Sequence, residues 1–210
     1  MILLLLLLTP VHALWEFGDH KFNIVNVTSE LTVIVIDNFF KHIDRIEKVK
    51  TKRAKDRDYY PGTRWKLLKP IDHWYFEGRQ CGFSEINSPP QALMPGQKIP
   101  HVDGDAEALM VYLDDIAGTS FYRHRGTGYT RLNFTMEELQ IFNEVEHAKH
   151  LEGYMSGSND RWEMIYHVEP KRNRAVVYNG SFFHTTHTKA PYRRTFGCFT
   201  TREPLHYTYP

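Results

Sequence analysis

The stretch WEMIYHVEPKRNRAVVYNGSFFH, residues 162–184, decides the fold. Trp162, Met164, Tyr166 and Val168 alternate with Glu163, His167 and Glu169, and this period of two predicts a half-buried strand. Lys171 to Arg174 reads as a turn, and Ala175 to Tyr178 as a second strand. Asn179-Gly180 then reads as a tight turn, after which Phe182-Phe183-His184 resumes the sheet.

Working outward, RRTFGCFTT (193–201) reads as a closing strand. Upstream, LTVIVI (31–36) and ALMVYL (108–113) are continuous apolar runs of strand length, which suit strands covered on both faces. Extended structure restarts at Gly118 to Tyr122, after the Asp114-Asp115 turn. Phe39, Phe40, Ile43, Ile46 and Val49 recur at helical spacing and predict an amphipathic helix over about 39–51. Thr135 and Glu138 match a capping box, and Met136, Leu139, Phe142 and Val145 predict a second helix over about 136–150. KRAKDRDYYPGTRW (52–65) and SPPQALMPGQKIP (88–100) read as loops between short strands. The expectation is a mainly β chain with supporting helices (α+β), its core an antiparallel sheet structure.

At 210 residues and 41% hydrophobic content, the chain is long enough for one substantial core, expected over residues 20–210. Its net charge of +1 supplies no overall field toward nucleic acid or anionic membrane, so neither partner is expected. Cys81 and Cys198 share no CxxC spacing, which excludes a zinc knuckle or thioredoxin motif and leaves their pairing open. The opening MILLLLLLTPVHA is shorter than the roughly 20 residues that span a bilayer and reads as a signal peptide ending at Ala13. The location expected is secretory if that leader is cleaved and cytoplasmic otherwise. Asn26, Asn133 and Asn179 each begin a glycosylation sequon.

IPHVDGD (99–105) carries the chemistry. In a strand, residues i and i+2 share a face, so His101 and Asp103 present an imidazole and a carboxylate side by side. His184 is the third candidate, with His187 in competition; in an extended strand the two face opposite ways. Two histidines and one carboxylate on one face match the ligand set of non-haem Fe(II) oxygenases, which leaves positions open on the metal. Arg193 and Arg194 follow, and a guanidinium is the natural bidentate partner of a carboxylate. His147 and His150 suit the end of the second helix, and Arg123, His124 and Arg125 suit a solvent-facing charged strand.

With these residues in this order, the chain resembles the 2-oxoglutarate/Fe(II)-dependent dioxygenases over about residues 31–201, especially their prolyl-4-hydroxylase-like branch and a little-characterised group within it. The motifs are IPHVDGD, MVYLDDIAGTSFYRHRGTGY (110–129), NRAVVYNGSFFH (173–184) and RRTFGCF (193–199), with Ala117 where the family has glycine. The resemblance implies a double-stranded β-helix (jelly-roll, cupin-like) core. It implies that His101, Asp103 and His184 bind Fe(II), and that Arg193, in an Arg-x-Thr pattern with Thr195, or else Arg194, pairs with the distal carboxylate of 2-oxoglutarate. Tyr112 is implied as a hydrogen-bond donor to that co-substrate, and Phe182 and Phe183 as a dry wall. Tyr60 and Arg64, beside the YPG turn, are further candidates. The implied activity couples decarboxylation of 2-oxoglutarate by O2, with ascorbate as an auxiliary reductant, to hydroxylation of a C–H bond in a peptide, amino acid or small metabolite. Two other readings stay open: a catalytically inactive binding module, and a cupin-like metalloprotein that does not use 2-oxoglutarate.

Overall fold

The two apolar runs and the 162–184 stretch become strands of two facing antiparallel sheets. The computed structural model describes residues 14–54, 61–104, 106–132, 144–187 and 192–200. In chain order the strands and α-helices are β1 (Lys21–Asn26), β2 (Thr32–Asp37), α1 (Ile43–Ile46), β3 (Thr51–Arg53), β4 (Gly62–Leu67), β5 (Arg79–Ile86), α2 (Pro95–Lys98), β6 (Glu107–Tyr112), β7 (Gly118–His124), α3 (Glu144–Ala148), β8 (Trp162–Val168), β9 (Ala175–Asn179), β10 (His184–His187) and β11 (Arg193–Thr200). The large sheet has the order β1-β2-β9-β6-β11-β5-β4-β3, and the small one β10-β7-β8.

The large sheet is buried on both faces at its centre, which is why β2, β6 and β9 read as continuous apolar runs. Its outer face carries Ile36, Leu109, Val111, Ala175, Val177 and Phe196, packed under Trp15, Phe39, Phe40, Ile46 and Phe76. Its inner face carries Val33, Val35, Ala108, Tyr112, Val176 and Tyr178, packed against Phe121, Val168 and Phe182 beneath the small sheet. The expected mainly β, jelly-roll-like architecture is therefore present as a two-sheet sandwich rather than a closed barrel. At the β11-β5-β4 end the inner face turns polar and borders a cavity.

The structure corrects several local expectations. The helix expected over 39–51 shrinks to α1, because the backbone before it is committed elsewhere. Phe39 N–H donates to the Asn173 carbonyl, Phe40 N–H donates to Asn173 Oδ1, and Asn173 Nδ2 donates back to the Phe40 carbonyl. Phe40 also bridges Phe17. The apolar residues spaced for a helix reach the outer core without forming one. Residues 62–65, expected in a loop, begin β4, and β1 and β5 were not anticipated. Of the helix expected over 136–150, α3 lies among the described residues and 136–143 lie outside them, as do the leader and Asn133. Cys81 and Cys198 form a disulfide between β5 and β11. No helix among the described residues is long and apolar enough to cross a membrane.

Candidate metal centre

His101, Asp103 and His184 converge because the backbone after α2 is fastened to the start of β10. His101 and His184 form an isolated antiparallel bridge, and Asp103 N–H donates to the Gly180 carbonyl at 2.8 Å. A Cβ on Gly180 would sit 3.0 Å from the Gly104 carbonyl oxygen and 3.1 Å from Asp103 Cβ, so the Asn179-Gly180 turn permits this approach.

One ligand atom from each of the three residues lies within 4.8 Å of the others, a group that can hold a metal ion. His184 Nδ1 is 2.8 Å from the Phe182 carbonyl, which only accepts, so Nδ1 carries a proton. His184 Nε2 then faces Asp103 Oδ2 at 3.2 Å. With Nδ1 protonated, the 3.2 Å approach calls for a cation between Nε2 and the carboxylate, either a proton on Nε2 or a metal ion. His101 Nε2 approaches the other carboxylate oxygen at 3.9 Å. The donor set and the fixed His184 tautomer both suit a divalent metal of the imidazole-and-carboxylate class.

Charge states follow from the surroundings. Desolvation, and then the neighbouring His184, hold the His101 pKa down to about 4, so its ring is neutral and able to ligate at pH 7. Burial works against ionisation of Asp103, but the charge and hydrogen bond of His184 outweigh it and hold the carboxyl at about 2. His184 is buried, whereas the His101 and Asp103 side chains are 42% and 30% exposed, so the group opens on one side.

That side is a cavity of about 350 Å³, lined by all three residues and by Arg64, Thr119, Tyr178, Thr186, Arg193 and Thr195 among others. A wider cleft of about 970 Å³ over β4 and β5 shares Arg64, Ser84 and Phe199 with it. Arg193 is buried. Its Nη1 donates to Thr186 Oγ1, its Nη2 donates to Thr119 Oγ1 at 3.1 Å, and its Nε has no partner among the described residues. Among the described residues no carboxylate comes within ion-pair distance of this guanidinium. A buried guanidinium without a carboxylate among the described residues suits an anionic ligand.

The remaining sequence candidates fall into place by strand alternation. Arg194 does not line the cavity; it lies near Glu47, and its N–H donates to Asp114 Oδ2. Thr195 lines the cavity and shares a 2.9 Å hydrogen bond with Ser84. Tyr112 does not reach the cavity: its hydroxyl donates to Thr119 Oγ1 at 2.8 Å, and its ring lies under Arg193, 5.3 Å from the guanidinium carbon. Phe182 and Phe183 turn into two separate apolar clusters. His187 hydrogen-bonds Ser120 and its ring packs, tilted, against His167; it does not belong to the metal group. Arg123 pairs with Glu163, and His124 packs on Trp162. Arg64 lines the cavity, and Tyr60 lies outside the described residues. Sequence reasoning missed Tyr178, which closes the apolar run AVVY and carries no local sign of facing a cavity.

A family model described as "Family of unknown function (DUF6445)" matches residues 19–196. No curated protein matches the chain. Among solved structures the chain is similar to Streptomyces albus HEPD with its substrate 2-hydroxyethylphosphonate and Fe(II) bound, at 6% identity and a TM-score of 0.37. That alignment covers 73% of this chain and 25% of the other, so this chain spans about a quarter of that relative's length. A likeness this slight does not bear on activity.

Proposed function

We propose, for a chain that belongs to the family of unknown function DUF6445, that it is an Fe(II)- and 2-oxoglutarate-dependent dioxygenase hydroxylating a C–H bond of a peptide, an amino acid or a small metabolite. One observation carries the reading: a two-histidine, one-carboxylate group shares a cavity with a buried arginine that no carboxylate neutralises among the described residues. Fe(II) held by three protein ligands keeps coordination positions open for co-substrate and oxygen, and that is the chemistry the ion would supply.

The residues have distinct tasks. His101 and His184 offer imidazole nitrogens, with His184 turned to use Nε2 by its bond to the Phe182 carbonyl. Asp103 offers an ionised carboxylate. Arg193 offers its guanidinium to the distal carboxylate of 2-oxoglutarate, held in place by Thr119 and Thr186 and laid over Tyr112. Tyr112 thereby acts through Arg193 rather than on the ligand.

The test is formation of succinate from 2-oxoglutarate by protein loaded with Fe(II), in the presence of ascorbate and O2. Wild-type protein is expected to form succinate slowly without a primary substrate, and His184→Ala and Asp103→Ala to abolish it. Metal binding with no 2-oxoglutarate consumption under any substrate tried overturns the reading. Succinate formation that survives replacement of both Arg193 and Arg194 overturns the assignment of the 2-oxoglutarate carboxylate to either arginine.

A further inference from the structure

Tyr178, on β9, is 4% exposed and lines the cavity, yet among the described residues none hydrogen-bonds its hydroxyl. Three hydrogen bonds engage hydroxyls nearby: Tyr112 with Thr119, Ser84 with Thr195, and Arg193 with Thr186. The Tyr178 ring is fixed, edge-on to His184 at 4.9 Å and edge-on to Phe121 at 5.1 Å. Tyr178 lines the same cavity as Asp103 and Arg193. Phenylalanine would make the same apolar contacts, so the packing by itself does not call for a hydroxyl here.

We infer that the Tyr178 hydroxyl donates a hydrogen bond to an oxygen anion bound at the metal on the side toward Arg193, making Tyr178 a co-substrate-binding residue. The inference rests on the reading above that this cavity takes a metal-bound carboxylate ligand. It adds a donor on β9, where the sequence pointed to Tyr112 on β6.

The test uses protein loaded with Co(II), which binds ligands without oxygen chemistry, titrated calorimetrically with 2-oxoglutarate and separately with oxalate. In Tyr178→Phe, Co(II) affinity is expected to stay within about twofold, and 2-oxoglutarate affinity to fall by roughly tenfold, the usual scale for a hydrogen bond to a charged acceptor. The melting temperature of the ligand-free variant is expected to hold or rise, because the hydroxyl removed has no partner among the described residues. Unchanged affinity for both ligands overturns the inference, and so does a lowered melting temperature with an equal loss of Co(II) affinity, which would mark a structural role. If wild type binds oxalate but not 2-oxoglutarate, and Tyr178→Phe weakens oxalate, the co-substrate reading falls and the role of Tyr178 stands. Wild type that binds neither overturns both.

Discussion

His101 and His184 each donate a backbone N–H to the other's carbonyl, both at 2.9 Å, and their rings lie 4.6 Å apart between centroids. Two of the three metal-ligand candidates are thus registered by main chain, and the third follows through the bond from Asp103 N–H to Gly180. Gly180→Ala would press a methyl against the Gly104 and Ala106 carbonyls and Asp103 Cβ, each about 3 Å away, and displace the carboxylate. Metal affinity, measured by calorimetry, is expected to fall about 10- to 100-fold, the range for lost support of a ligand, while the far-ultraviolet circular dichroism is retained. Native affinity in this variant would mean that the loop yields without moving Asp103.

Arg193 and Arg194 make opposite predictions despite being adjacent. Arg193→Met removes a buried charge with no carboxylate beside it among the described residues, so ligand-free stability is expected to hold or rise. Stabilisation by 2-oxoglutarate on the metal-loaded protein should disappear in the same variant. Wild type at a ligand concentration of 100 times Kd gains about 2.7 kcal/mol, which a thermal shift reads readily. Arg194→Met should keep the full shift, since its side chain lies by Glu47 and outside the cavity. A shift that persists in Arg193→Met and vanishes in Arg194→Met would reverse the assignment.

The sequence made the centre of the fold legible and obscured its edges, for a physical reason. β2, β6 and β9 are covered on both faces, and β8 on one, so their side chains must follow a strand pattern. β1, at the sheet edge, is exposed on both faces, so little constrains KFNIVN, and β4 does alternate Thr63, Trp65 and Leu67 with Arg64 and Lys66 but starts inside the YPG turn signal. β5 carries Gly82, where a Cβ would meet the Trp65 carbonyl oxygen at 2.4 Å, so part of its pattern answers to a neighbouring backbone. The HxD pair, His184 and an arginine were visible because few residue types offer metal-ligating or anion-pairing groups. The choice between Arg193 and Arg194 was not, because alternation sends one to each face and sequence does not say which face holds the cavity. Tyr178 was hidden for the converse reason, since a cavity-lining tyrosine and a core tyrosine look alike within AVVY.

The Cys81–Cys198 disulfide joins positions 117 residues apart across the β5–β11 pair. Closing so long a loop restricts the unfolded chain, and the expected contribution is about 3–5 kcal/mol. Replacing both cysteines by alanine should lower the urea midpoint correspondingly, with metal affinity little changed, because Cys198 faces the outer core and Thr195 and Phe199 the cavity. If the double variant unfolds at the wild-type midpoint, the bridge contributes nothing to stability.

Asp37 ties the end of β2 to the turn before β9. Arg174 donates to its two oxygens at 2.7 and 3.2 Å, and Lys171 donates at 2.9 Å. The hydrogen bond from Arg174, reinforced by Lys171, holds the carboxyl at about 2 against burial, which acts in the raising direction. The folded pKa lies below the ordinary 3.8, so the unfolded chain binds the proton more readily. The stabilisation is therefore complete above about pH 5 and is lost as pH falls through 4 toward 2. Its size at pH 7 is about 2 kcal/mol, from the linkage between pKa shift and stability. Asp37→Asn should be less stable than wild type by about that amount in urea unfolding at pH 7, and the difference should shrink steadily and nearly close by pH 2. A difference that stays constant across this range would show that the position contributes through shape or neutral hydrogen bonds, and that the charge on Asp37 does not stabilise the fold.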